Sequence, residues 1–206
     1  MEHDRRHQCL IYGGAPSQKL PMLAVIIQRV LQDGYRILYL NSAPMVAGLR
    51  STLAAGGLDV QSEVTRGRLI MSSDPVSSGR DFDVSGMLLK LENSLDEAIV
   101  DGYKGLWASG DMTWEFGAGR DFSRLLEYEL ALEQLFKKRS ELCGICQYHV
   151  DTLPTEVLHQ SLLVHPELVI SDTLTRINPH YLKSSWPSDA KTRGELDEVI
   201  TTLGRP

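Results

Sequence analysis

Short apolar runs of strand length alternate with longer stretches whose apolar residues recur every three or four positions, and the rhythm persists along most of the chain. Cys9-Leu-Ile-Tyr12 is the first run. A glycine-rich turn follows, then a predicted helix over about Gln18–Gln32 that Gly34 closes. Arg36-Ile-Leu-Tyr-Leu40 is the second run, with a helix from Pro44 to about Ala55 ended by Gly56-Gly57. Leu69-Ile-Met71 is the third, and a polar loop from Ser72 to Asp83 separates it from a helix over Ser85–Val100. Gly105-Leu-Trp-Ala-Ser109 precedes a helix over Phe122–Lys138, and Leu142-Cys-Gly-Ile-Cys-Gln-Tyr148 precedes one over Pro154–Val164. A short sixth run, Leu168-Val-Ile170, completes the series. Such alternation predicts an α/β fold, a three-layer sandwich with a mainly parallel central sheet, and the near-continuous apolar strands fit burial on both faces. From Thr173 to Trp186 the pattern lapses, and Arg193–Leu203 reads as a short amphipathic helix that either docks on the domain or links to a partner. The expectation is one domain over 1–206, with a core at about 8–172 and an irregular tail over 173–206.

Composition narrows the function classes. The chain has 206 residues, 42% of them hydrophobic and 23% charged, which is the profile of a folded domain. Twenty-one Lys and Arg stand against 27 Asp and Glu, a net charge of -6 with no basic block, so direct nucleic-acid binding is not expected. No apolar signal-type segment or membrane span is apparent, and three cysteines do not make a disulfide framework; both point to a cytoplasmic protein.

Ligands of open parallel sheets bind at the carboxyl ends of the strands. That rule collects Tyr12, Gly13 and Gly14, then Asn41 and Ser42, then Ser109, Gly110, Asp111 and Trp114, then Gln147, Tyr148 and His149. Between the first strand and first helix a nucleotide hydrolase carries G-x-x-x-x-G-K-[ST]. Here the stretch is Tyr12-Gly-Gly-Ala-Pro-Ser-Gln-Lys-Leu20: Gln18 precedes Lys19 where glycine belongs, Leu20 replaces the hydroxyl, and Pro16 removes an amide. Hydrolysis through a standard phosphate loop is therefore not expected. An acid at the end of an apolar strand can hold magnesium, so a divergent ATPase built on Asp111 and Lys19 is the second reading. A pure interaction module, using the Leu125–Phe136 face or the last helix, is the third. Cys143 and Cys146 lie three apart in a strand and so face opposite ways, which speaks against a shared metal. His7 shares a strand face with Cys9, but the histidines read as surface or capping residues, and Glu129 and Glu133 as a solvated helix face. No metal site and no catalytic residue are expected, and no cofactor is identified.

Five segments taken together carry a resemblance. They are His7-x-Cys9-x-Ile-Tyr12, Gly102-Tyr-x-Gly-Leu-x-Ala-x-Gly-Asp-Met-x-Trp114, Tyr128-Glu129, Leu142-Cys-x-x-Cys-Gln-Tyr148 and His165-Pro166. Over about Gln8–Asp172 the chain resembles the MEDS family, the methanogen and methylotroph DcmR-type sensory domain. The resemblance implies a RecA- or KaiC-like scaffold, of the P-loop NTPase type, with a degenerate phosphate loop. It also implies a sensory role: a small molecule is bound and a regulatory partner responds, such as a kinase, an anti-sigma factor or a transcription regulator. Self-association into a homo-oligomer is a further expectation for such a scaffold. The ligand-binding residues expected are Tyr12, Gly13, Asn41, Asp111, Trp114, Tyr128, Gln147 and Tyr148, Tyr128 being raised by the resemblance. Asp111 departs from the family pattern, where glutamate is expected, and no helix-turn-helix or kinase module accompanies the domain in this sequence.

Overall fold

Each apolar run becomes a strand because its side chains alternate between two helical layers, so that neither face can afford polar residues except where they find partners. The computed structural model describes residues 7–73, 82–115, 122–181 and 190–205, the side chains of Trp114, Glu115 and Ala190 excepted. In chain order the elements are β1 (His7–Tyr12), a short 3-10 helix (Pro16–Lys19), α1 (Leu20–Gln32), β2 (Arg36–Leu40), α2 (Ala43–Ala55), α3 (Val60–Thr65), β3 (Leu69–Ser72) and α4 (Val84–Val100). They continue as β4 (Leu106–Asp111), α5 (Met112–Glu115), α6 (Leu125–Lys138), β5 (Leu142–His149), α7 (Thr155–Val164), β6 (Glu167–Val169), β7 (Thr175–Ile177) and α8 (Ala190–Leu203).

Among the described residues the strands form one seven-stranded sheet in the order β3-β2-β4-β5-β1-β6-β7, parallel except for the antiparallel β6–β7 pair. The α/β class and the mainly parallel sheet agree with the sequence pattern. Period-two alternation sorts the strand residues cleanly. Leu10, Tyr12, Ile37, Tyr39, Trp107 and Ile145 pack with α1, α2 and α3, whereas Cys9, Ile11, Leu106, Leu142, Cys146 and Tyr148 pack with α4, α6, α7 and α8. Cys143 and Cys146 do fall on opposite faces. β1, an interior strand with β5 and β6 on either side, is buried along its whole length.

Three expectations need correction. α3 was not foreseen; only Val60 of its residues is buried, and what starts it is the Asp59 carboxylate accepting the Ser62 N–H at 3.0 Å. Among the described residues, the segment after Thr173 holds a strand before the last helix. β7 pairs with β6, and Asn178 Nδ2 donates to the carbonyls of Leu162 and His165, tying this edge to the end of α7. β7 escaped notice because an edge strand with half-exposed polar residues lacks the apolar alternation that betrays central strands. Finally, α8 begins at Ala190 and docks on the domain, with Leu196 fully buried and Ile200 nearly so in the core shared by α4, α6 and α7.

Candidate functional site

The residues expected at one rim are divided by the sheet. On the α1 side, the Tyr12 hydroxyl donates to Asp111 Oδ2 at 3.0 Å, reaching past β5, which stands between β1 and β4. Asn41 Nδ2 donates to the Tyr39 hydroxyl at 3.0 Å, and Gln147 Nε2 donates to Ser109 Oγ at 2.8 Å. All six are buried. Burial, with the Asp111 charge beside Tyr12, pushes both phenols far up, so each stays protonated, Tyr12 as a donor to Asp111. Gln147 Oε1 is buried and accepts no hydrogen bond among the described residues. Tyr12→Phe would leave Asp111 with one donor fewer; we expect a loss of about 1–3 kcal/mol, measured by urea unfolding and assigned to the pair by a cycle with Asp111→Asn.

The glycine turn is occupied by the protein itself. Gly14 N donates to Asp151 Oδ2 at 2.9 Å, and the Gly14 carbonyl receives His149 Nε2 at 2.7 Å. The end of α8 lies directly above: a Cβ on Gly13 would stand 2.1 Å from the Gly204 carbonyl oxygen. Trp114 belongs to α5, but its side chain, like that of Glu115, lies outside the described residues.

Tyr148 and Tyr128 project to the other face, away from Tyr12 and Asp111. Tyr148 donates to Glu129 Oε1, and around Glu129 a buried polar cluster closes. Glu129 Oε2 is 3.5 Å from His7 Nε2 and 3.4 Å from His165 Nε2, and Cys146 Sγ is 3.6 Å from His7 Nε2 and 3.9 Å from Glu129 Oε2. The outer nitrogens are held separately: His7 Nδ1 donates to Glu133 Oε2 at 2.8 Å and His165 Nδ1 to the Ser161 carbonyl at 2.7 Å. Carboxylate and carbonyl oxygens only accept, so both Nδ1 atoms carry protons and both Nε2 atoms face inward. Glu133 also receives the Tyr181 hydroxyl at 2.5 Å and Lys137 at 3.0 Å.

Electrostatics divide these groups. Burial lowers the His7 pKa, but hydrogen bonds to Glu129 and Glu133 outweigh it and the net direction is up. Burial and then the His7 charge push His165 down to about 4, leaving it neutral at pH 7. Burial alone would raise Glu129 and Glu133; the neighbouring His165 and His7 reverse this for Glu129, and the His7 and Tyr181 hydrogen bonds hold Glu133 at about 2.

The expectation of a solvated Glu129 and Glu133 is therefore wrong: both are buried, at 1% and 5% exposure, whereas Glu127 on the same helix is an exposed partner of Arg124. Sequence reading missed the cluster because its members come from β1, α6, β5 and the residue after α7. The available signal was an i, i+4 acid pair on a helix whose neighbours Leu125, Leu132 and Phe136 are core residues. Beside Cys146 lies a small cavity of about 30 Å³ lined chiefly by Leu38, Leu40, Ala108, Met112 and Tyr128.

Comparison with known proteins adds three findings. The model of the MEDS family, described as the methanogen/methylotroph, DcmR sensory domain, matches residues 6–166. A KaiC-like protein from Pyrococcus horikoshii OT3 superposes with a TM-score of 0.54 at 14% identity, covering 80% of this chain and 69% of its own. An uncharacterized Pyrococcus horikoshii protein, solved with an unknown peptide, superposes with a TM-score of 0.61 at 13% identity, covering 83% of this chain and 81% of its own. At these identities the likeness is one of fold, RecA-type in both cases. No curated protein matches.

Proposed function

We propose, from the premise that this chain belongs to the MEDS family of sensory domains, that it is a regulatory module that binds a small molecule and signals to a partner protein without turning over a nucleotide. The observation that carries this reading is the filled phosphate turn. Phosphates are held by free amides at a helix N-terminus. Here the Gly14 amide already serves the Asp151 carboxylate, Pro16 has none to offer, and the carbonyl end of α8, the negative pole of that helix, rests on Gly13. An incoming triphosphate would meet two negative groups where it needs donors.

In this reading the sensed molecule enters at the carboxyl end of β2, β4 and β5, in the cavity beside Tyr128 and Cys146, whose apolar lining suits an apolar group of a few atoms. A bound molecule acts by favouring one arrangement of α4 and α6 over another, and the listener is a regulatory protein of a transcriptional or two-component pathway. Calorimetric titration with ATP and magnesium is expected to give a flat trace. Saturable binding followed by hydrolysis that Asp111→Ala abolishes would replace this reading with that of a divergent ATPase. Xenon, as an apolar probe, is expected to bind the wild type and not Ala108→Leu, which fills the cavity; equal binding by both would move the site elsewhere. Gly13→Ala sets a methyl against the Gly204 carbonyl and is expected to cost about 1–3 kcal/mol, measured by urea unfolding.

A further inference from the structure

The geometry points to a metal site: we propose that His7 Nε2, His165 Nε2, Cys146 Sγ and Glu129 Oε2 bind one zinc-class divalent cation in a closed tetrahedral shell. The four atoms lie within 4.8 Å of one another. Zinc bonds of about 2.0–2.3 Å set neighbouring ligand atoms of a tetrahedron about 3.3–3.6 Å apart. Four of the six separations, 3.4, 3.5, 3.6 and 3.9 Å, come within a few tenths of an ångström of that spacing, and the two from His165 Nε2 to His7 Nε2 and Cys146 Sγ lie within 4.8 Å, which the ion would draw in.

The surroundings are those of a ligand shell. Ligating histidines characteristically donate their other ring nitrogen to a carboxylate or a carbonyl, which sets the tautomer and aims the ring. Glu133 does this for His7 and the Ser161 carbonyl for His165. His165 Nε2 is fully buried, makes no hydrogen bond among the described residues and is directed at the centre of the group. Such an atom bears the cost of burial with no return unless something accepts its lone pair. The His7 ring is further clamped, stacked on Phe136 with centroids 4.6 Å apart.

Charge also balances. A thiolate, a carboxylate and two neutral imidazoles carry two negative charges against the cation's two positive ones, and a neutral assembly is what a buried site tolerates. On binding, the Cys146 thiol proton and the proton on His7 Nε2 leave for solvent, while both Nδ1 protons stay in place. A tetrahedron so formed ties β1, β5, α6 and the end of α7 together. This inference is independent of the ligand and nucleotide reading above.

Its test uses the tag-free full chain, stripped with a chelator and titrated with cobalt(II) alone. Expected are the strong visible bands of tetrahedral cobalt and a near-ultraviolet sulfur-to-cobalt charge-transfer band, saturating at one ion per chain and erased by zinc. Cys146→Ser is expected to remove the charge-transfer band. Glu133→Gln, which leaves all four ligands but loosens His7, is expected to weaken zinc about 10–100-fold. A folded wild type with neither cobalt band, or with bands that Cys146→Ser leaves intact, overturns the proposal. Should Cys146→Ser fail to fold, the wild-type spectrum decides alone. ATP binding in the calorimeter would sink the proposed function without touching the cobalt spectrum, so the two failures are distinguishable.

Discussion

Glu129→Leu is expected to destabilise the domain by on the order of 3–5 kcal/mol. The substitution keeps the volume but removes the acceptor of the Tyr148 hydroxyl and the carboxylate that faces His7 and His165 in a site closed to water. Breaking a buried pair by deleting one partner costs more than the pair contributes, because the survivor stays buried and uncompensated. His7 keeps Glu133, but Tyr148 loses the only acceptor found for its hydroxyl among the described residues. Urea unfolding in excess chelator measures this without any metal contribution. A loss below about 1 kcal/mol, the range of an ordinary net hydrogen bond, would mean that the cluster is loosely packed or reached by water. Glu127→Leu on the same helix is the control: its carboxylate is exposed and, among the described residues, paired with Arg124, so no resolvable change in stability is expected.

The second large effect concerns α8. Leu196→Asp places a carboxylate at a fully buried position against α7, and the helix is expected to detach. Even truncation to alanine should cost about 2–5 kcal/mol. Detachment is read directly by trypsin: cleavage after Lys191 and Arg193 is expected to accelerate in Leu196→Asp and to stay slow in the wild type. His159 Nε2, 2.7 Å from Asp197 Oδ1, holds the same interface, so His159→Ala should show a weaker form of the same sensitivity. If both proteins were cut equally fast, α8 would be a free partner-binding arm, which is one of the two roles its amphipathic sequence allows. The outcome also bears on the glycine turn, because the end of α8 is one of the two groups that cover it.

Much of the architecture is legible without coordinates, and the reason is that its signals are local. A strand with both faces buried is apolar over most of its length, so β1, β2, β4 and β5 stand out, and the helices between them announce themselves by period and by closing glycines. Period two also places Cys143 and Cys146 on opposite faces. The altered phosphate loop is equally local, a matter of which residues stand at 12–20. The elements that went unread, α3, the single-turn α5 and β7, are those with too few residues to leave a pattern.

What only the tertiary structure decided is which polar residues meet. His7 and Cys146 are 139 positions apart, yet the parallel register of β1 on β5, with His7 opposite Gly144 and Cys9 opposite Cys146, sets them on one face within reach of each other. The packing of α6 on that face then turns Glu129 and Glu133 inward, against the reading that an acid on an amphipathic helix is solvated, because the buried histidines and Tyr148 offer a better partner than water. Likewise, Tyr12 and Tyr148 both stand near the carboxyl ends of neighbouring strands, but strand parity sends one toward Asp111 and the other toward Glu129. Periodicity along the chain determined the layers and the faces; the pairing of buried charge depended on long-range packing, which no local pattern encodes.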